Sequence, residues 1–324
     1  MNATKARTQG IFAAAASAVF LGLTPIFGKQ SLNLGFSPFA VVAVRTVAAC
    51  LLLFLFLLIF KRQNFYIYPL GLAGCMAAGV INGVGSTFFY AALARLDAGI
   101  GQLLYSFYPL FMVFWLLLDR QSVSRLTILR LLLVLPGVYL LLQNPVRQID
   151  LTGAFFMLIA AILYSLHLLI NQRVLYDVPA PTVTFYTLLA MSLTVLAAFF
   201  IFSPTLPPAG VSWAPLIFLS VITFLSRVTL FLGVKHLGGI QTAILGLGEL
   251  LVTVVIAQIF LAERLVLIQW VGALLVIINL VLVVFDKPTT SIRYGRGFLY
   301  WLTPPPVKPY DSTSHDSTKK ETPF

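Results

Sequence analysis

Arg227 and Glu249 stand eleven residues either side of Gly238, and each is embedded in apolar sequence. An arginine and a glutamate so placed can pair with each other, bind a charged ligand, or pass a proton through the carboxyl. A second polar group comprises Arg45, Asn82, Ser86 and Tyr105, again inside apolar stretches. Guanidinium, carboxamide and hydroxyl groups suit recognition of a polar ligand. They equally suit interhelical hydrogen bonding, and an arginine near a span end can snorkel outwards. His167 stands alone in its apolar block, so it is either a proton relay or a hydrogen-bonded packing residue, without partners for a metal cluster.

Other chemistries lack their residues. No GxSxG, HExxH or paired-carboxylate motif occurs, and Asp97, Asp119 and Asp150 are scattered at block ends. No catalytic residue is therefore assigned, and neither metal nor cofactor is expected. The GxxxxGK[ST] phosphate loop is missing, so the chain is not expected to use ATP itself. Cys50 and Cys75 fall in apolar blocks without CxxC spacing and read as small buried residues.

The elements that must carry these residues follow from composition. Of 324 residues, 60% are hydrophobic and 10% charged, far below the quarter or so that a soluble domain carries. The apolar residues come in blocks of about twenty, the length of a helix crossing a hydrocarbon core about 30 Å thick. The alternation of a membrane barrel is absent. The fold class expected is an all-α polytopic membrane protein lying in a lipid bilayer. Ten blocks can be marked, near residues 10–28, 37–60, 69–92, 98–118, 126–143, 151–171, 181–202, 213–234, 239–261 and 266–285. The first lacks a cleavage site after a short core and reads as a retained span. At 1.5 Å per residue, Arg227 and Glu249 each lie about 16 Å from the turn at Gly238, close to the midplane.

The net charge of +11 does not indicate nucleic acid, because the bases lie singly or in pairs between blocks or in the C-terminal tail. Their placement sets orientation instead. With ten spans, the side shared by both termini holds eleven bases, among them Lys61, Arg62, Arg120, Arg173 and Lys235. The other side holds four: Lys29, Arg95, Arg147 and Arg264. The positive-inside rule then puts both termini in the cytoplasm. In a bacterial cell the membrane would be the inner one.

The chain also repeats itself at a spacing of about 142 residues. Gly28-Lys29-Gln30 matches Ile170-Asn171-Gln172, Pro38 matches Pro181, and Leu96 to Ile100 matches Leu237 to Ile240. Residues 10–143 and 151–286 are thus expected to form two five-helix repeats, with 287–324 a disordered cytoplasmic tail rich in Pro, Ser, Thr and Lys. Within the tail, Phe298 to Leu302 is expected to anchor at the interface. An odd number of spans per repeat inverts the second copy in the membrane, a recurrent build of secondary transporters. Pro25 and Pro109 interrupt helical hydrogen bonding and are expected to kink blocks one and four. Gly79 and Gly83 form a GxxxG, expected to bring two helices close.

Particular motifs also resemble a known family. Pro38 followed seven residues later by Arg45, Glu249-Leu250 in block nine, and Leu261-Ala262-Glu263 before block ten are similar to the EamA family of the drug/metabolite transporter superfamily. That family usually has Glu-Pro and Leu-Gly-Glu at the latter two places, so one position in each differs. The resemblance spans about residues 10–286. It implies a transporter of a small organic metabolite, amino acid-like or drug-like, often moved outward. A proton or a counter-substrate is the open coupling partner, and the oligomeric state is not indicated. Two other classes are weighed against this one: an intramembrane enzyme acting on a lipid-linked substrate, and a membrane scaffold without flux.

Overall fold

Proline at the first turn and polar caps start several of the helices that the sequence pattern demands. Pro38, Pro69, Pro109 and Pro215 occupy first-turn positions, where a missing N–H costs nothing. Ser37 accepts the backbone N–H of Ala40 at 3.2 Å, and Asp150 accepts those of Thr152 and Gly153 at 2.8 and 3.2 Å. The computed structural model describes residues 3–121, 150–202, 204–207, 210–246, 248–260, 267–282 and 297–302, with scattered positions between 123 and 140.

Described regular structure is entirely helical. The longer elements are α1 (Ala3–Asn33), α2 (Pro38–Phe60), α3 (Pro69–Arg95), α4 (Ala98–Tyr105) and α5 (Tyr108–Leu118). They continue as α6 (Leu151–Val174), α7 (Ala180–Phe202), α8 (Ala214–Leu237), α9 (Gly239–Gly246), α10 (Gly248–Phe260) and α11 (Leu267–Leu282). Eight stretches among the described residues are long and apolar enough to cross a membrane, with Ala98–Leu118 and Gln241–Phe260 each counted as one. The expected ten are not all described. Block five, 126–143, lies largely outside the described residues, and block ten appears as α11, only 16 residues long.

The helices turn apolar side chains both ways, as they must in lipid. On α2, Leu53 and Leu57 are fully buried while Leu51, Leu55 and Ile59 face outward. Phe200, Ile201 and Phe202 of α7 and Ile217 and Phe218 of α8 are exposed in the same manner. Bilayer tails are as apolar as these side chains, so burial does not select the packed face; close fit and polar contacts do. The GxxxG of α3 supplies such a fit. A Cβ added at Gly79 would overlap the Thr187 carbonyl oxygen, and one at Gly83 would come within 2.7 Å of Thr194 Cβ.

Pairing between the halves is close to symmetric under their exchange. The most extensive contacts run between α1 and α8 and between α3 and α6, which are the same pair when the halves are swapped. The pairs α3–α7 and α2–α8 correspond likewise, and α2 meets its own counterpart, α7. Among the described helices, each half therefore packs mainly against the other.

A buried ion pair closes one end. Asp119, at the end of α5, pairs with Arg173, in the last turn of α6. Beyond Asp119 the chain turns through Arg120, the described non-glycine residue with a positive φ, 55°. Gln121 N–H bonds the Leu116 carbonyl at 2.9 Å and Arg120 N–H that of Leu117 at 3.0 Å, satisfying the helix end. Residues 297–302 of the tail pack onto this end: Leu299 and Leu302 are buried, whereas Tyr300 and Trp301 are exposed.

Candidate functional site

α1, α2, α3, α4, α6, α8 and α10 line one cavity, partly open to its surroundings. Arg45, Asn82, Ser86, Tyr105, Arg227 and Glu249 all line it, so the two polar groups read from the sequence meet in one place. α2 and α3 bring Arg45, Asn82 and Ser86 from the first half; α8 and α10 bring Arg227 and Glu249 from the second.

Arg45 is held by hydroxyls of both halves. Its Nη1 donates to Thr223 Oγ1 at 3.2 Å and its Nη2 to Ser86 Oγ at 3.4 Å. Its guanidinium carbon lies 4.8 Å from the centre of the Tyr90 ring, a cation–π contact, and Nε has no hydrogen-bond partner. At the repeat spacing, Thr223 is the counterpart of Asn82 and Ser86 that of Arg227, so Arg45 bonds the counterparts of two other residues of the site. Asn82 Nδ2 donates to the Met191 sulfur at 3.1 Å.

Arg227 and Glu249 share the cavity without forming an ion pair. Ion pairs are formed elsewhere, by Arg95 with Asp150 and by Arg173 with Asp119. Arg227 lies against Tyr164, 6.0 Å from its ring centre, with Nε and Nη1 unpartnered. Glu249 is 1% exposed, and its Oε1 has no partner. The equal depth of the two residues places them in one layer; side-chain direction, which depth does not specify, keeps them from direct pairing.

An aromatic wall completes the site. Tyr105 packs against Phe89, Tyr164 and Tyr108, at ring separations of 5.0, 5.3 and 5.6 Å. Tyr108 donates to the Ala243 carbonyl at 2.8 Å, tying α5 to α9. Pro109 acts beyond a kink: the helix is interrupted at Ser106 and Phe107, between α4 and α5. Proline there has no N–H to return to the Tyr105 carbonyl. Around Pro25, by contrast, α1 is continuous. Pro25 leaves the carbonyl of Leu21 without its helical donor, and Leu21 lines the cavity. The next carbonyl, that of Gly22, accepts from Thr253 of α10 at 2.7 Å.

His167 stands apart. It is fully buried, with Nδ1 3.0 Å from the Ala78 carbonyl and 3.0 Å from Asn171 Nδ2, and it does not line the cavity. Asn171 in turn accepts from Thr187 at 2.9 Å. The chain of contacts joins α3, α6 and α7, the packing alternative for this residue.

Gln102, Thr24 and Tyr164 line the cavity and were not among the residues the sequence singled out. Gln102 carried a usable signal: a carboxamide three residues before Tyr105, on the same helical face. Tyr164 carried none, since an aromatic in an apolar block is ordinary. No group of three or more His, Cys, Asp or Glu suited to a metal occurs among the described residues. Cys50 and Cys75 are buried and free.

Comparison with known proteins agrees with this architecture. The chain is 25% identical over 287 residues to an uncharacterized transporter, YcbK, of Bacillus subtilis (strain 168), covering 80% of this chain and 89% of that protein. A protein of known crystal structure superposes with a TM-score of 0.67 at 16% identity, covering 87% of this chain and 96% of its own, and so shares the fold. The profile of the EamA-like transporter family matches twice, at residues 8–143 and 151–285. A multi-pass helical membrane protein with this double match belongs to the EamA-like transporter family.

Proposed function

We propose that this protein is a secondary transporter of a small organic metabolite, working by alternating access of two inverted five-helix repeats. The observation that carries the reading is the cavity lined by Arg45 and Arg227 from opposite halves. A site built from both halves opens to one side or the other as the halves rock against each other. Charged side chains deep in a membrane are costly, and a transport path is the common reason to keep them. Glu249, with an unpartnered oxygen in the same cavity, is the group suited to carry a proton or to answer a counter-substrate.

The full reading has ten spans, both termini in the cytoplasm, and outward flux. The odd span number per repeat supports inversion, and the base distribution supports the cytoplasmic termini. Untargeted metabolomics of paired cells with and without the protein tests it. Accumulation of particular metabolites outside the expressing cells, reproduced as flux in proteoliposomes, is expected. Identical profiles together with inert proteoliposomes would overturn the transport reading.

A further inference from the structure

The polar atoms that the protein leaves unanswered in the cavity are unequal in kind. Arg45 Nε, Arg227 Nε, Arg227 Nη1 and Gln102 Nε2 are buried donors without partners. Against these four donors stands one unpartnered cavity acceptor, Glu249 Oε1. Arg45, Arg227, Gln102 and Glu249 are each more than nine-tenths buried. Two guanidiniums face a single carboxylate, so the site carries an excess positive charge with Glu249 ionised. A buried unanswered donor is expensive, and a charged one more so. The ligand that completes this site presents acceptor oxygens and one negative charge.

We propose that the cavity takes a small organic anion whose carboxylate, or an equivalent planar oxyanion, is held between Arg45 and Arg227. Guanidinium is suited to this because its fixed N–H fork matches the two oxygens of a carboxylate. The two arginines come from opposite halves, so the bound anion bridges them and offsets their mutual repulsion. Gln102, whose side chain lies beside the Glu249 carboxyl, adds a neutral donor. The rings of Phe89, Tyr105 and Tyr164 face the remainder of the ligand, which is therefore apolar or aromatic. A cation would meet two guanidiniums for one carboxylate, and a neutral ligand would leave the excess charge unanswered. The inference rests on the cavity being the transport site.

The test uses the purified full chain in detergent and three probes with one skeleton: 3-phenylpropionate, its neutral amide 3-phenylpropionamide, and the cation phenethylamine. Saturable binding of the carboxylate by calorimetry is expected, with the amide at least about tenfold weaker and the amine undetected, as loss of a charge-assisted contact implies. Arg227→Gln should weaken the carboxylate about tenfold or more and leave the amide unchanged. That variant removes no hydrogen bond from the described protein at Nε or Nη1, and its monodispersity and melting temperature report whether it remains folded. If Arg227→Gln unfolds, Gln102→Ala should still weaken the carboxylate selectively. Equal or tighter binding of the amide or the amine would overturn the proposal. Flux in proteoliposomes separates the two ideas. Transport of amine or amide without carboxylate binding refutes the anion and keeps the transporter. Carboxylate binding with no flux of any probe or metabolite refutes the transporter and keeps the anion site.

Discussion

The carboxylate of Asp119 accepts the backbone N–H of Leu299 at 3.1 Å while pairing with Arg173, so one buried acid holds both the end of α6 and a segment 180 residues further along the chain. The tail is thereby divided. Leu299 and Leu302 are buried on the bundle, and the Phe298 ring meets that of Trp115 at 6.0 Å. Truncation after Leu302 should leave abundance and flux near normal. Truncation after Arg296 should lower the melting temperature, since each leucine loses burial worth about 1.5–3 kcal/mol. Asp119→Asn should be more damaging, about 3–5 kcal/mol, because it strands the Arg173 charge. Thermal melts of the three variants, with equal abundance as the control, decide the matter; equal melts for both truncations would show that the contact is idle.

Glu249→Gln should yield a folded protein that has lost at least about tenfold of its flux or its dependence on pH. Glutamine is nearly the same shape, and a single lost proton-binding group costs on the order of 10²-fold or more in proton-transfer steps. The separate exchange Arg227→Glu with Glu249→Arg should not rescue either reversal alone, because the two side chains are not paired. Restored abundance in the exchanged protein would show that they do pair. Normal efflux with unchanged pH dependence in Glu249→Gln would remove the glutamate from the mechanism.

Gly79→Val should cut folded abundance. A Cβ there overlaps the Thr187 carbonyl, which is backbone and cannot rotate away, so α3 and α7 must separate. Overpacking of this kind costs about 1–3 kcal/mol. Fluorescence-detected size exclusion of the variant, beside Val80→Ala on the exposed neighbouring position, reads the difference. Equal profiles would mean that the helices tolerate separation.

Orientation is open to a direct check. Cysteines at Lys61, Arg120 and Lys235 should be shielded from an impermeant thiol reagent in intact cells, and those at Arg147 and Arg264 should react. The background lacks Cys50 and Cys75. Outside labelling at position 61 or 235 would reverse the assignment.

The Asp150 carboxyl is held below the usual carboxylate range, chiefly by the backbone N–H of Gly153 and further by Arg95 and the N–H of Thr152. A carboxyl lowered in the folded state stabilises above its ordinary value of 3.8 and loses that contribution as pH falls through the lower one. Asp150→Ala should therefore melt lower than the parent at pH 7, and the gap should close as acidification passes 3.8 and protonates the carboxyl in the folded state. A gap that persists there would mean that the cap acts without its charge.

The helical, membrane-spanning character of the apolar blocks and the shared layer of the buried polar residues were legible in the sequence. Each depends on properties local to the chain: the length of an apolar run, the position of a proline, the rise per residue. Composition alone dictated a bilayer, because a chain so poor in charge cannot cover itself in water. What faces what was not legible. Depth along a helix says nothing of rotation about it, so Arg227 and Glu249 could be placed at one height but not shown to miss each other. Nor could His167 be separated from the cavity, since a histidine in an apolar block looks the same whether it meets a backbone carbonyl or a ligand. Thr223, Gln102 and Tyr164 entered the site, and Asp119 met Arg173 and Leu299, only through contacts between segments distant in the chain. Such contacts are settled by the rotation and crossing of helices packed in lipid, where small residues and hydrogen bonds, rather than apolar burial, decide which faces meet.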